Sequence, residues 1–150
     1  MEREELHMAD SLCGIYYPSI DAKGRMSFPT KLREVLGAEL YLCAGSDNTY
    51  IAVYSSEGFD EYQNKLLNIP GKLGSNIRRK LLSCTDKQVP DKQGRIFIAQ
   101  HLREFAGISG EVVVIGSGNK AEIWDKAKWN EFDNEISQEQ IDAALSEFVL

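Results

Sequence analysis

Two short motifs of the same pattern place an aspartate four residues before an arginine. D-x-x-G-R occurs at residues 21–25 and again at residues 91–95. Asp at the first and Gly at the fourth position are typical of a tight turn, so each motif predicts a bend with an outward arginine. An arginine on a projecting loop can bind a phosphate or the O6/N7 edge of guanine through two hydrogen bonds. Recognition of a nucleic acid is therefore the first chemistry to consider.

The aspartate of each motif has two interpretations. In the first, Asp21 and Asp91 only accept hydrogen bonds from the turn amides and pair with their own arginine, and such exposed ion pairs contribute only ~0–1 kcal/mol. In the second, the carboxylate also orients the guanidinium, so that less side-chain freedom is lost on binding. One motif alone favours the first interpretation. The recurrence of the motif, while flanking positions differ, favours the second.

The motifs belong to an internal repeat with an offset of seventy residues. Residues 21–37 (DAKGRMSFPTKLREVLG) and 91–107 (DKQGRIFIAQHLREFAG) are identical at seven of seventeen positions, where chance would give about one. The chain therefore contains two copies of one unit. Because each copy is near the size at which a single core becomes marginal, we expect the copies to share a core or to interleave.

Each copy predicts the same order of elements. The motif turn is expected to form a β-hairpin with a four-residue loop, and a short helix ending near Gly37 or Gly107 follows. Two strands come next, at 39–44 and 49–54 in the first copy and at 111–115 and 120–124 in the second. The predicted divisions are an N-terminal extension 1–13, a first unit 14–67, a junction and basic helix 68–83, a second unit 84–136 and a C-terminal helix 137–150. Within the junction, 68–76 predicts a bend and 77–83 a helix.

Charge is distributed unevenly along the chain. The 150 residues include 17 basic and 23 acidic side chains, a net charge of −6, which excludes a diffuse polycation. Residues 72–95 nevertheless carry +5 and residues 23–33 carry +4, which leaves −15 on the remainder. Basic groups are thus concentrated around the repeated motif. Arg33 and Arg103 are expected to pair with the neighbouring Glu34 and Glu104 or to cover helix surface.

Enzymatic and ligand-binding motifs are absent from the sequence. His7 and His101 have no neighbouring nucleophile pattern. The GSGN segment at 116–119 lacks the third glycine of a dinucleotide fingerprint and predicts a hairpin turn; a small-ligand or nucleotide binder would depend on that segment alone. We expect no enzyme, no cofactor and no small-molecule ligand.

Cysteine spacing and hydropathy indicate the compartment. Cys13, Cys43 and Cys84 are too far apart for a zinc knuckle or a disulfide framework, so buried reduced thiols and no metal are expected. No apolar run approaches the ~18 residues of a membrane span. The N-terminal segment is acidic without an apolar centre, and Met8 is an alternative start. These features predict a cytoplasmic protein without a membrane partner.

Three segments carry a family resemblance: GIYYPSIDAKGRMSFPTKLRE, RRKLLSC and DKQGRIFIAQHLREFAGISGEVVVIGSGNKAEIWDKAKW. Over most of residues 14–136 the chain resembles the MraZ family, bacterial transcriptional regulators encoded in the division and cell-wall gene cluster. The resemblance implies tandem SpoVT/AbrB-like domains, which form swapped-hairpin β-barrels, and subunits assembled into rings. It also implies binding to direct repeats in the family's own promoter. Ala99 departs from the proline often found after the second motif.

The sequence and the resemblance together predict a mainly β (α+β) fold of two pseudo-symmetric swapped-hairpin units. The predicted function is sequence-specific, oligomeric binding of double-stranded promoter DNA through arginine loops, in a cytoplasmic, nucleoid-associated protein. A ring-forming protein-interaction scaffold without direct DNA readout is the alternative. The predicted DNA-binding residues are Asp21, Lys23, Arg25, Asp91, Lys92, Arg95, Arg78 and Arg79.

Overall fold

The structure, a computed structural model, describes residues 11–150, so that most of the predicted N-terminal extension, including His7 and Met8, lies outside the described residues. A short 3₁₀ turn at Ser46–Asn48 joins the third and fourth strands. The remaining elements are β1 Ile15–Tyr16, β2 Arg25–Ser27, α1 Thr30–Leu36, β3 Leu40–Ala44, β4 Tyr50–Tyr54, α2 Ser56–Leu67, α3 Gly71–Ser83, β5 Asp86–Gln88, β6 Arg95–Phe97, α4 Gln100–Ala106, β7 Val112–Gly116, β8 Ala121–Asp125, α5 Lys126–Glu135 and α6 Gln138–Phe148.

The two copies exchange strands. A six-stranded antiparallel sheet has the order β1-β7-β8-β4-β3-β5, and β2 pairs with β6 in a separate two-stranded ribbon. The first strand of each copy, β1 or β5, therefore pairs with a strand of the other copy, β7 or β3. The predicted α+β fold of two interleaved, swapped-hairpin units is confirmed.

An approximate two-fold axis relates the copies. In the ribbon Met26 lies opposite Ile96, and in the large sheet Ala52 lies opposite Glu122. Both pairs join positions seventy residues apart, the offset of the sequence repeat. Equivalent residues therefore meet where the copies join.

One core serves both copies. Met26 and Ile96 from the ribbon are buried together with Leu32 of α1 and Leu102 of α4 and with the inner face of the large sheet. Burying such side chains supplies the main driving force for folding, at ~1.5–3 kcal/mol for each large apolar group. Since both copies contribute to one cluster, neither has a complete core alone.

The junction is more helical than the sequence predicts. Helix α3 begins at Gly71, whereas residues 68–76 were expected to form a bend and the helix to start at 77. Gly74 is buried on α3, and a Cβ at that position would collide with the carbonyl group of Ile69. Gly74 allows the helix to pack closely on the preceding turn. The bend was predicted because glycine usually interrupts helices, and here it does not.

The cysteines differ from the expectation of three buried thiols. Cys43 is buried, and burial raises the pKa of its thiol to about 11, while Thr85 donates a hydrogen bond to its sulfur. Cys84 is half-buried and Cys13 is exposed. The expectation is therefore wrong for Cys13, which lies just before β1 in an outer segment of the chain. The GSGN segment connects β7 and β8 of a hairpin, as predicted.

Candidate nucleic-acid interface

Each D-x-x-G-R motif forms a compact loop with the same hydrogen bonds. In the first loop the Asp21 amide donates to the Arg25 carbonyl at 2.9 Å, and the Gly24 amide donates to the Asp21 carbonyl at 3.0 Å. The second loop repeats both bonds at 3.0 and 2.9 Å. Gly24 has a φ of +95°, a conformation that side chains other than glycine rarely adopt. The turn interpretation of the motif is confirmed.

The aspartate binds both the turn and the arginine. Oδ1 of Asp21 accepts the amides of Lys23 and Arg25, each at 2.9 Å, and Oδ2 accepts Nε of Arg25 at 2.9 Å. In the second loop Oδ1 of Asp91 accepts the amides at positions 93 and 95, and Arg95 Nε donates to Oδ2 at 3.1 Å. Each carboxylate therefore fixes the direction of its guanidinium.

These hydrogen bonds also favour the ionised carboxylates. Donation by the Arg25 amide, with the guanidinium as a further cause, lowers the pKa of Asp21. Donation by the Arg95 amide does the same to the pKa of Asp91. Hydrogen bonds to a charged form stabilise that form. The acid that orients each arginine is thus charged at neutral pH.

The two guanidinium groups remain accessible. The side chains of Arg25 and Arg95 are 50% and 42% exposed. Each pairs with its aspartate through Nε, and no hydrogen bond within residues 11–150 occupies the two terminal nitrogens of either group. The terminal nitrogens of each guanidinium are thus available as a pair of donors, which carboxylate, phosphate and guanine acceptors can bind.

Both arginines lie on one face of the β2–β6 ribbon. Arg25 is in register with Phe97, and Ser27 is in register with Arg95. All four are exposed, whereas the intervening Met26 and Ile96 face the core. The prediction of a local β-hairpin at the first motif is wrong. The turn is present and a single β-bridge joins Ile20 to Met26, but the strand β2 pairs with β6 of the other copy.

The loops are joined across the copies by their glycines. The Gly24 carbonyl accepts the Ile98 amide at 2.8 Å, and the Gly94 carbonyl accepts the Phe28 amide at 3.0 Å. A Cβ on Gly24 would lie 2.6 Å from the Ile98 carbonyl oxygen. These reciprocal bonds hold both loops at opposite ends of one ribbon.

Arg33 and Arg103 also cross between the copies, contrary to the expected pairing with Glu34 and Glu104. The Arg103 guanidinium packs against Gly24, and its Nε donates to the Ile98 carbonyl at 3.0 Å. The Arg33 guanidinium packs against Gly94, but its buried Nε has no hydrogen-bond partner among the described residues. Because their stems lie on α4 and α1, these arginines connect each helix to the other copy's loop.

Lysines flank the loops at positions that differ between the copies. Lys23 and Lys92 are both exposed, and neither makes an ion pair among the described residues. Position 23 corresponds to Gln93 in the second loop, and position 92 corresponds to Ala22 in the first. The two loops therefore share their arginine and aspartate but not the placement of the additional charge.

The two arginines of α3 are used differently. Arg78 is half-buried and donates through Nη1 to the Leu66 carbonyl at 3.1 Å, at the end of α2. Arg79 is exposed and donates to Asn76 at 3.0 Å. No hydrogen bond or ion pair in the described part of the chain connects either arginine to the loops. The structure thus brings six of the eight predicted residues onto the two loops and leaves Arg78 and Arg79 on a separate helix.

Sequence reasoning did not single out Phe97 as part of the exposed face. Residues 96–98 are all apolar, but strict alternation from the outward Arg95 places residue 97 outward. That alternation is the signal that could have identified it.

Among residues 11–150, no three histidine, cysteine, aspartate or glutamate side chains are grouped so that they could hold a metal ion. Within the same residues no helix is long and apolar enough to cross a membrane.

An interleaved pair of strand–loop–strand–helix units with both arginine loops on one ribbon defines a duplicated swapped-hairpin α+β protein. A family model described as "MraZ protein, putative antitoxin-like" matches residues 12–72 and 81–150. The chain belongs to the MraZ family.

Relatives named "Transcriptional regulator MraZ" align along most of their length. The protein from Finegoldia magna is 38% identical over 131 residues, which cover 86% of this chain and 91% of the relative. The protein from Acetivibrio thermocellus is 40% identical over 133 residues, covering 85% and 92%. The protein from Bifidobacterium longum is 40% identical over 126 residues, covering 81% of each.

Proposed function

We propose that this protein is a transcriptional regulator that binds double-stranded DNA through the outward face of the β2–β6 ribbon. The observation that carries the proposal is that Arg25 and Arg95, each oriented by its own aspartate, are exposed on one face of a two-stranded antiparallel ribbon. The major groove of B-DNA is wide enough to admit such a ribbon. Membership of the MraZ family and the names of the relatives support the role in transcription.

Within this proposal the charged groups have separate tasks. The terminal nitrogens of Arg25 and Arg95 donate to the O6 and N7 atoms of guanine, the most frequent specific contact in the major groove. Lys23 and Lys92 bind phosphates beside the loops, which positions the ribbon without reading sequence. Asp21 and Asp91 do not touch DNA but keep the guanidinium groups in place. Arg79 is a further phosphate contact. Arg78, whose guanidinium binds the end of α2, contributes positive charge.

The target and the compartment follow from the family resemblance. We propose that the DNA consists of direct repeats in the promoter of the chain's own gene, and that regulation concerns the division and cell-wall gene cluster. The protein acts in the cytoplasm, on the nucleoid. We propose no catalytic activity, cofactor, membrane partner or small-molecule ligand.

Association of several copies is the second part of the proposal. The outer surface of α6 exposes an apolar stripe of Ile141, Leu145 and Phe148. Residues 129–150 carry six acids and no basic group, so this helix is repelled by DNA. The α2–α3 corner of another copy offers exposed Leu67 and Leu73 beside Lys72, a surface of complementary apolarity and charge.

Several ribbons in one assembly increase the affinity for repeated sites. Each linked subunit binds at a raised effective concentration, which offsets the weak attraction between an acidic body and DNA. We propose a closed ring of subunits as the form of this assembly. Charge repulsion between the acidic regions and DNA is limited at cellular salt, because screening acts beyond ~8–10 Å.

A ring-forming scaffold without direct DNA readout is the alternative function. The exposed apolar side chains of α5 and α6 favour it, since they indicate protein contacts independently of the loops. In that case Arg25 and Arg95 would contact protein. The two functions differ in whether the intact protein binds DNA in a sequence-dependent way.

Footprinting of the wild-type protein on the DNA upstream of its own gene tests the proposal. We expect protection of short segments that recur at a regular spacing, with no protection of an unrelated duplex of the same length. Solution mass is measured in parallel. A multi-subunit protein that protects no segment, or that covers both duplexes alike, would exclude sequence-specific binding and favour the scaffold.

A further inference from the structure

The ribbon face between the two arginines carries an exposed aromatic ring. Phe97 is 43% exposed, while Met26 and Ile96 on the opposite face of the same ribbon are buried. The equivalent position of the first copy is Ser27, also exposed. An outward phenylalanine contributes little to the core, so the copies differ at a position where packing does not require an apolar side chain.

The backbone holds this ring in a defined position. Phe97 lies in register with Arg25, and its amide donates to Oε1 of Gln88 at 3.1 Å. The next amide, of Ile98, donates to the Gly24 carbonyl at 2.8 Å. Hydrogen bonds on both edges of the strand thus fix Phe97 beside the first arginine loop.

We propose that Phe97 contacts the C5-methyl group of a thymine beside the guanine bound by Arg25, and so determines part of the DNA sequence that is recognised. This inference rests on the proposed function. The thymine methyl is the apolar group that base pairs present in the major groove, and phenylalanine is among the side chains that contact it. Directly opposed residues have Cβ atoms ~4.5–5.5 Å apart, which suits contacts to neighbouring base pairs.

The two ends of the ribbon therefore recognise different sequences. Arg25 is opposed by Phe97 and reads guanine next to thymine, whereas Arg95 is opposed by Ser27, which provides a hydroxyl and no apolar contact. A two-fold symmetric pair of loops would favour a palindromic site. The Phe97–Ser27 difference breaks that symmetry, and the recognised element has a direction along the duplex.

The test uses duplexes of a footprinted segment in which deoxyuridine replaces one thymidine at a time. Deoxyuridine lacks only the methyl group. We expect wild-type protein to bind about fourfold more weakly when one particular methyl near the Arg25 guanine is missing, given the value of a buried methyl-sized group. Phe97→Ser, which copies the first repeat, should bind the normal duplex more weakly and show no further loss on that deoxyuridine duplex.

Two other variants serve as controls. Phe97→Leu keeps an apolar contact and should retain the sensitivity to the missing methyl, and Ser27→Ala should retain it fully. Melting temperatures of all variants verify folding. A Phe97→Ser protein with unchanged sensitivity, or a wild-type protein that is insensitive to every replacement, would overturn the role of Phe97. A wild-type protein with no preference for the footprinted duplex over unrelated DNA would instead overturn the proposed function itself.

Discussion

At the scale of single residues, the aspartate of each loop explains how an exposed arginine can be ordered. Asp21 accepts two amides and Arg25 Nε, so one carboxylate joins the turn to the guanidinium. An exposed ion pair alone contributes little to the stability of the fold. Here the pair restricts the rotamers of Arg25 before binding, so that less side-chain entropy is lost when Arg25 binds a partner.

The lowered pKa of Asp21 predicts a pH-dependent contribution to stability. Because the folded-state pKa is below the unfolded value of ~3.9, the contribution is present above that pH and disappears as the pH falls through the folded-state pKa. Asp21→Asn should therefore have a lower melting temperature than wild type at pH 7, with the difference shrinking as the pH falls below the unfolded value of ~3.9. A difference that is constant with pH would contradict this role of the carboxylate.

Arg78 and Arg79 provide a matched pair for separating capping from surface charge. Arg78→Ala removes charged donors from the end of α2 and should lower the free energy of unfolding by about 1–3 kcal/mol. Arg79→Ala, one residue along the same helix, should change it by no more than about 0.5 kcal/mol. Urea denaturation measures both values, and equal values for the two variants would show that Arg78 does not support the helix end.

At the scale of elements, the ribbon positions the loops because the residue after each strand donates a backbone hydrogen bond to the other copy's loop glycine. Ile98 donates to the Gly24 carbonyl, and Phe28 donates to the Gly94 carbonyl. Gly24→Ala would bring a Cβ within 2.6 Å of the Ile98 carbonyl oxygen in addition to straining the backbone. Gly37→Ala is the matched control, since Gly37 has a φ of +94° and no atom within 4 Å of a Cβ.

We expect Gly37→Ala to lower the free energy of unfolding by about 1–3 kcal/mol through backbone strain alone. Gly24→Ala should lower it by more, because the loop must also separate from β6. Denaturant midpoints of both variants and of wild type provide the comparison. If the two variants were equally stable, the close approach of Gly24 to the second copy would have no energetic importance.

The sequence predicted the loops better than their surroundings. The seventy-residue repeat and the turn chemistry of Asp and Gly are local signals, and both are confirmed, whereas α3 begins at Gly71 and not at residue 77 as predicted. Pairing of β2 with β6 could not be derived, because a strand of three residues carries no signal for its partner. Arg33 and Arg103 were misassigned for the same reason, since their contacts lie across the interleaved copies. Whether the eight predicted residues take part in DNA recognition, by contact or by positioning, stays a prediction.

At the scale of the whole molecule, α6 is the element that the single chain leaves uncovered. It has a complete capping box at Ser137 and Gln140, yet its apolar stripe is exposed. Isolated helices of this length are marginal in water, so a partner surface would stabilise it. The proposed partner is the α2–α3 corner of another copy.

Removal of residues 137–150 should therefore lower the solution mass while the remaining fold is preserved. We expect light scattering to report fewer subunits than in the intact protein, and the binding of multi-repeat DNA to weaken more than the binding of a single repeat. Leu73→Glu, at the proposed partner surface, should act similarly. An unchanged number of subunits in the truncated protein would contradict a role of α6 in assembly.

The most direct test of the central claim compares wild type, Arg25→Ala and Lys65→Ala on the footprinted duplex at two salt concentrations. Lys65 is exposed on α2 outside the loops, so its variant controls for the loss of one positive charge. Arg25→Ala should weaken specific binding by about 1–3 kcal/mol and relax sequence preference at one position, while Lys65→Ala leaves that preference intact. Equal affinity of wild type and Arg25→Ala for this duplex would contradict DNA recognition by the ribbon.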